Sequence, residues 1–349
     1  MPRQDIEFKT SDHVTLRGWL YTPEGHDGGK LPAIVLAHGF SALKEFDLDA
    51  FAEYFVSKLP IAALVYDNRG FGDSDQKDGE PRLEIVPYLQ ISDYSDAITY
   101  VSQRPEVDPD RIAIWGSSYS GGHVLYVGAV DRRVKAVLSQ APLVSGWENF
   151  HRLVRPDFEV GFNAIFAADR IARSQGKEPG FVPVVDADPL KPSALPTPDS
   201  HQFFSSWEAK SKWENKITVR TIELFRGYEP QQLIERISPT PLLMTVARDD
   251  VLTPADLALA AYARAREPKQ LQLLPAGHFD AYTGSFFERN AGTQAEFLRK
   301  WIINTAYISG PPMEEAKATK ARENYAIEGL PVDANDAYEG DTSNDSWGK

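Results

Sequence analysis

The chain has 349 residues, 42% hydrophobic and 11% aromatic, with a formal net charge of -13. That is enough for one large α/β domain with an insertion, or for two modest domains. The negative charge argues against a nucleic-acid partner and against docking on an anionic membrane, while the absence of cysteine removes disulfides, thiolate nucleophiles and Cys-ligated zinc together.

From the N-terminus, Ile6 to Thr22 alternates loosely and reads as two strands around a turn at Ser11-Asp12-His13; Glu24 to Lys30 is a Gly- and charge-rich loop. Met1 to Thr10 holds no apolar segment of signal-peptide type, and no run approaches the roughly 20 apolar residues of a membrane span. The last residues, Ser346-Trp347-Gly348-Lys349, are no peroxisomal address, so a cytoplasmic location is expected. Leu31 to Ala37 (LPAIVLA) is a continuous apolar run, which suits a strand covered on both faces in a parallel sheet. It ends in His38-Gly39-Phe40. Leu48 to Leu59 has helical spacing, and Ile61 to Tyr66 is another buried strand, ending in Asp67-Asn68-Arg69-Gly70, read as a turn braced by Arg69. Ile85 to Val101 reads as an amphipathic helix.

Next comes Ile112-Ala113-Ile114-Trp115-Gly116-Ser117-Ser118-Tyr119-Ser120-Gly121-Gly122, a strand running into a small-residue turn and then a buried helix through Val127. A serine at such a strand-to-helix elbow is lifted out of the sheet with its hydroxyl exposed and its backbone strained. The pattern G-x-S-x-G puts Ser118 at the nucleophile position, with Ser120 where the last glycine should stand and Gly121-Gly122 directly after. Alone, a Ser/Gly turn without chemistry would look the same.

Val134 to Ser139, Pro241 to Val246 and Leu271 to Leu274 supply further strands, and strands alternating with helices predict a mostly parallel sheet with right-handed crossovers. The stretch 141–237 breaks the rhythm. Helical segments are predicted over Glu159 to Arg173, Ser205 to Lys216 and Thr218 to Phe225, around a Pro-rich coil from Lys177 to Pro198. We assign it as a helical lid over the strand ends, inserted into a core of 1–140 and 238–308. Phe158, Phe162 and Phe166 repeat on one helical face. Phe162, Phe166 and Trp207 are candidates to line an apolar acyl pocket, with Arg152, Arg155 and Arg170 to meet a polar end of the substrate; packing on the core is the equal alternative. Ala291 to Ile308 is a final amphipathic helix, and 309–349 an acidic C-terminal tail.

A serine hydroxyl needs a base within hydrogen-bond reach, and the base an orienting carboxylate. After the strand PLLMTV comes Ala247-Arg248-Asp249-Asp250, with Thr253-Pro254 expected to cap and start the helix Ala255 to Ala265. Asp250 is the candidate acid and Asp249 its alternative. His278, in Pro275-Ala276-Gly277-His278-Phe279 directly after the last strand, is the candidate base; His123, within the elbow helix, is assigned to packing or support. Two donors should meet the developing oxyanion: the backbone N–H of Tyr119 at the elbow and that of Phe40 in the loop after LPAIVLA.

With these signals in order, the chain resembles an α/β-hydrolase over residues 1 to 308. More narrowly it is similar to the polyketide transferase-like hydrolases of fungal secondary-metabolite clusters, carried by WGSSYSGGHVL, APLVSGWENFHRLVRP, PSALPTPDSHQFF, ISPTPLLMTVARDDVLTPADLALAAYARA and EPKQLQLLPAGHFDAY. The resemblance implies the α/β-hydrolase fold, a Ser118–Asp250–His278 triad and a small acyl or ester substrate, thioester-bound substrates included. The expected activity is a serine hydrolase acting on an ester, thioester or lactone carbonyl through an acyl-enzyme. Transfer of a polyketide-type acyl group to an alcohol or amine is the alternative on the same triad, and a non-hydrolytic cyclase, lyase or binding role a third. With neither an H-E-x-x-H motif nor a His-rich cluster, no metal and no cofactor are expected. A homodimer is compatible with the sequence, which carries no further sign of oligomeric state.

Overall fold

The computed structural model describes residues 2–304. The expected acidic tail over 309–349 lies outside them. The strands are β1 (Arg3–Lys9), β2 (Thr15–Tyr21), β3 (Leu31–Ala37), β4 (Ala62–Tyr66), β5 (Val107–Ser117), β6 (Val134–Gln140), β7 (Phe181–Val182), β8 (Ile217–Thr218), β9 (Leu242–Ala247) and β10 (Lys269–Leu274). The helices are α1 (Leu48–Lys58), α2 (Pro87–Ser102), α3 (Tyr119–Val130), α4 (Gly146–Leu153), α5 (Pro156–Ser174), α6 (Pro198–Glu208), α7 (Val219–Arg226), α8 (Ala255–Arg264) and α9 (Gly284–Leu298).

Eight strands form one sheet in the order β1-β2-β4-β3-β5-β6-β9-β10. The β1–β2 and β2–β4 pairs are antiparallel and the pairs from β4 to β10 parallel. The reason lies in the apolar runs. In β3 every residue is buried, and alternate side chains feed two separate cores, Ala33, Val35 and Ala37 on one face and Ile34 and Leu36 on the other. The first face is covered by α2, α3 and the inserted segment, the second by α1 and α9 through Phe51, Phe55 and Phe297. Each large side chain so buried contributes roughly 1.5–3 kcal/mol of apolar transfer. Parallel pairing delivers the C-terminal ends of β3, β5, β9 and β10 to one rim, where the loops carrying Phe40, Ser118, Asp250 and His278 emerge.

Between β6 and β9 the chain leaves the sheet, and the described residues nonetheless form one compact unit. Helix α4 was not expected from periodicity. Ser145 caps it, accepting the Glu148 N–H at 3.1 Å, so the S-x-x-E signature was present. Helix α6 starts at Pro198 rather than near Ser205, because Thr197 caps it and Pro198 takes its first turn, and it ends before the charged stretch 209–216 that was read as helical. The β7–β8 pair was not anticipated. Helix α9 begins seven residues before Ala291 and passes into a π-helical turn over Arg299–Ile303. Among the described residues no helix is long and apolar enough to cross a membrane.

Candidate active site

Ser118 stands between β5 and α3 with φ 58° and ψ -116°, a left-handed conformation that an L-residue holds only when its surroundings over-determine it. Those surroundings are backbone bonds: Ser118 N–H donates to the Gln140 carbonyl at 2.8 Å, and the Ser118 carbonyl accepts from Leu143 N–H at 2.9 Å. The small residues each have a reason. A methyl on Gly116 would stand 2.1 Å from the Ser120 carbonyl oxygen, one on Gly121 2.8 Å from that of Gln140, and one on Gly122 2.4 Å from that of Leu143. Position 120 has room for a side chain, and Ser120 Oγ donates to the His38 carbonyl.

The Ser118 hydroxyl lies 3.1 Å from His278 Nε2. His278 is buried, and its Nδ1 is 2.7 Å from Asp250 Oδ2, which assigns the proton on Nδ1 to the carboxylate and leaves Nε2 to accept from the serine. Asp250 is held in turn. Its Oδ1 accepts the N–H groups of Leu252 and Thr253, each at 2.8 Å. Thr253 does not cap α8, whose N-cap is Pro254; its hydroxyl lies 2.9 Å from Asp250 Oδ2 and 3.0 Å from the Ala141 carbonyl. Asn149 of α4 donates to the Leu252 carbonyl at 3.0 Å, so the inserted segment also braces the acid loop. Asp249 points away, exposed and paired with Arg248.

The loop after β3 presses on the elbow. A methyl on Gly39 would sit 2.7 Å from Ser118 Cβ and 3.2 Å from the Tyr119 nitrogen, so the Phe40 and Tyr119 peptides meet beside the serine. Tyr119 is the first residue of α3, where an N–H has no intrahelical acceptor, and no acceptor among the described residues takes the Phe40 N–H. His38 is buried beneath them. Burial pushes its imidazole down to about 4, reinforced by nearby His278, so it stays neutral, donating Nε2–H to the Phe46 carbonyl and accepting the Gly39 N–H at Nδ1.

A buried polar network lies behind the triad. Tyr282 donates to Ser117 Oγ, Gln140 Nε2 also donates to Ser117, and Gln140 Oε1 accepts from Asn290 at 2.6 Å and Gln294 at 3.0 Å. Gln294 then accepts the Trp115 indole N–H at 2.8 Å. Sequence reading missed this support; its one local signal was Gln140, an amide closing a buried strand. His123 is buried between Tyr228 and Gln90, its imidazole pushed down to about 3 by burial. Arg69 spans Asp93 and Asp12, tying the β1–β2 turn to the loop after β4.

Two cavities meet here. One, a narrow cleft, holds Ser118 and His278 and is walled by Phe40, Leu195, Phe203 and Phe279. The other is apolar and lies under α4, α5 and α7; Phe40 and Leu195 line both. Phe162 lines the apolar cavity. Phe166 lines neither and is buried behind Phe162, under the Arg226 guanidinium. Trp207 also lines neither and stacks on Phe46 at 4.8 Å. Phe158 is exposed beside Arg155. Arg152, Arg155 and Arg170 pair at the surface with Asp256, Asp157 and Glu223. Among the described residues no group of three or more His, Asp or Glu could hold a metal ion.

Comparison with known proteins gives the family of the chain. The model of the alpha/beta hydrolase family matches residues 34–291. A polyketide transferase of Penicillium sp., grgF, is 33% identical over 302 residues, covering 86% of this chain and 97% of the relative. A thiohydrolase of Eupenicillium brefeldianum is 31% identical over 304 residues, covering 85% and 94%. The crystal structure of the alpha/beta hydrolase GrgF from Penicillium sp. sh18 superimposes with a TM-score of 0.75 at 31% identity, over 87% of this chain and all of that one.

Proposed function

The chain belongs to the alpha/beta hydrolase family, and from that premise we propose that it is a serine hydrolase cleaving an acyl ester or thioester through an acyl-enzyme. The observation that carries the reading is the unbroken line Ser118 Oγ, His278 Nε2, His278 Nδ1, Asp250 Oδ2, with separations of 3.1 and 2.7 Å. Ser118 attacks the carbonyl carbon as His278 Nε2 takes its proton. Asp250 keeps the ring in the tautomer that can accept and stabilises the imidazolium that forms. The N–H groups of Phe40 and Tyr119 meet the oxyanion. Its collapse expels the alcohol or thiol, which takes the proton from His278. Water then attacks the carbonyl carbon of the acylated Ser118, giving a proton to the same nitrogen; as the acyl carbon–Oγ bond breaks, His278 returns that proton to Ser118 Oγ and the acid is freed.

In this reading 141–237 is the lid, and its apolar cavity takes the acyl chain. Relatives named thiohydrolase favour a thioester leaving group. The test is a fluorophosphonate label with mass mapping, alongside turnover of acyl thioesters and p-nitrophenyl esters. Label on Ser118, and a loss of about 10³-fold or more in Ser118→Ala, are expected; a Ser118→Ala enzyme with wild-type turnover overturns the reading.

Acyl transfer is the second reading, favoured by the apolar walls around Ser118 and by relatives named polyketide transferase. It predicts that an added alcohol or amine captures the acyl group in preference to water, seen as an ester or amide product at unchanged rate of acyl-enzyme formation.

A further inference from the structure

Phe225 sits near the end of α7, in the inserted segment and far from the triad in sequence, yet its ring touches the rings of both residues whose N–H groups face the reacting carbonyl. It stacks on Tyr119 with centroids 5.8 Å apart and planes at 16°, and meets Phe40 edge to face at 6.4 Å and 89°. Phe40 and Tyr119 close the triangle at 5.7 Å and 83°. Phe225 also lines the apolar cavity, as Phe40 does, so the cluster has one face on the acyl site and its other members in the oxyanion loop and the elbow. The backbone of Phe225 is itself fixed. A methyl on Gly146 would lie 1.9 Å from the Phe225 carbonyl oxygen, and Gly146 N–H donates to the Tyr228 carbonyl at 2.7 Å, so the end of α7 lies directly against the start of α4.

Resting on the serine-hydrolase reading above, we infer that Phe225 is a positioning residue for the oxyanion donors, and that an acyl chain filling the apolar cavity raises turnover by pressing this ring against Phe40 and Tyr119. The chemistry follows from the connectivity. The donors act only if their N–H vectors are preorganised on the oxyanion, and each vector is set by a peptide whose side chain is clamped by the same ring. An apolar chain lying on that ring restricts it. Its binding energy is then expressed in kcat as well as in KM. The favoured substrate is therefore one with an uncharged hydrocarbon acyl chain long enough to reach the ring, rather than a short or polar acid.

The experiment compares p-nitrophenyl acetate and octanoate in wild type, Phe225→Ala, Phe225→Leu and Phe225→Tyr, with rates normalised to the fraction of Ser118 labelled at completion by a small fluorophosphonate. On acetate, which does not reach the cavity, kcat should fall roughly ten- to a hundred-fold in the Ala and Leu variants with KM changed by less than about twofold. The rate of phosphonylation should fall in parallel, since the phosphoryl oxygen uses the same two donors. Phe225→Tyr, which keeps the ring, should recover most of the loss. If acetate kcat stays within about twofold of wild type in the Leu variant and only octanoate KM rises, Phe225 is a cavity wall and the inference falls; should the Ala variant not fold, the Leu variant decides alone. Wild-type turnover in Ser118→Ala would instead remove the hydrolase reading and this inference with it.

Discussion

Ser120 and His38 are joined across the head of the sheet: the buried Ser120 hydroxyl donates to the His38 carbonyl oxygen at 2.6 Å, and Asn68 Nδ2 donates to the same oxygen at 3.1 Å. The bond ties the elbow after β5 to the loop after β3, the two pieces that bear the proposed oxyanion donors Tyr119 and Phe40. It also gives the third small position of the elbow a task other than being small.

Ser120→Ala and Ser120→Gly should therefore both destabilise the protein by about 1 kcal/mol, near 2 °C in Tm. Restoring the glycine of the general pattern gains nothing here. A Ser120→Gly protein more stable than wild type by thermal denaturation would refute this.

Asp250→Asn should lower kcat by roughly 10³–10⁴-fold, because an amide cannot hold His278 in the accepting tautomer as the carboxylate does. Asp249→Asn, at an exposed residue paired only with its neighbour Arg248, should leave turnover within about twofold of wild type. Steady-state kinetics on one ester settle both, and comparable losses would return Asp249 to contention.

Gly39→Ala puts a methyl 2.7 Å from Ser118 Cβ and 2.8 Å from the Ser117 carbonyl oxygen. The loop must withdraw from the elbow, carrying the Phe40 N–H with it. A kcat lower by at least about a hundredfold is expected in a protein that still folds by circular dichroism. Retained turnover would mean that Phe40 does not serve the oxyanion.

Phe162 and Phe166 should separate cleanly. Phe166→Ala removes a ring that is 4% exposed and should cost about 3–5 kcal/mol of stability, with equal effects on every substrate. Phe162→Ala should melt near the wild-type temperature and lose kcat/KM on octanoyl but not acetyl esters. Equal losses on both chain lengths in a stable Phe162→Ala protein would remove Phe162 from the acyl site.

Two buried histidines make the fold sensitive to acid. His38 and His123 are pushed down by burial to about 4 and about 3 from an ordinary value of 6.5. Above pH 6.5 both states hold them neutral and their contribution is complete. Below it the unfolded chain takes up protons that the folded protein refuses, so stability falls with pH until it reaches the folded-state values. Half-buried Asp47 and buried Asp93, pushed up to about 6 by desolvation, act in the opposite sense. The isolating measurement is His123→Gln. Denaturant titrations should show it less stable than wild type at pH 7.5, with the gap narrowing by about 1.4 kcal/mol per pH unit between 6.5 and 4. Parallel curves would show that His123 does not titrate on unfolding.

Much of the framework was legible because it is local. β3, β4 and β9 are apolar runs with no competing reading, and Ser118, Asp250 and His278 stand in the loops after strands. What was not legible depends on partners distant in the chain. Arg152, Arg155 and Arg170 looked like anion binders beside aromatics until the carboxylates facing them were known. Phe162 and Phe166 share a helix face, and only the packing of α7 decides that one meets the cavity and the other the Arg226 guanidinium. Thr253 before a proline reads as a helix cap; that it turns back to Asp250 follows from the Ala141 carbonyl, 112 residues away.

The hydrogen bond from Gly146 to Tyr228 closes the long excursion on itself, reinforced by Ser145 Oγ donating to Glu229 Oε1 at 2.7 Å. A chain that departs and returns at one point is a cassette. Its closure leaves the excursion free to vary in length between those two ends, while the contacts it makes to the sheet, to the Asp250 loop through Asn149 and to Phe40 and Tyr119 through Phe225 must be kept. One condition travels with any exchange: the incoming cassette must set an aromatic ring where Phe225 lies, or the graft inherits a new preference together with a slower enzyme.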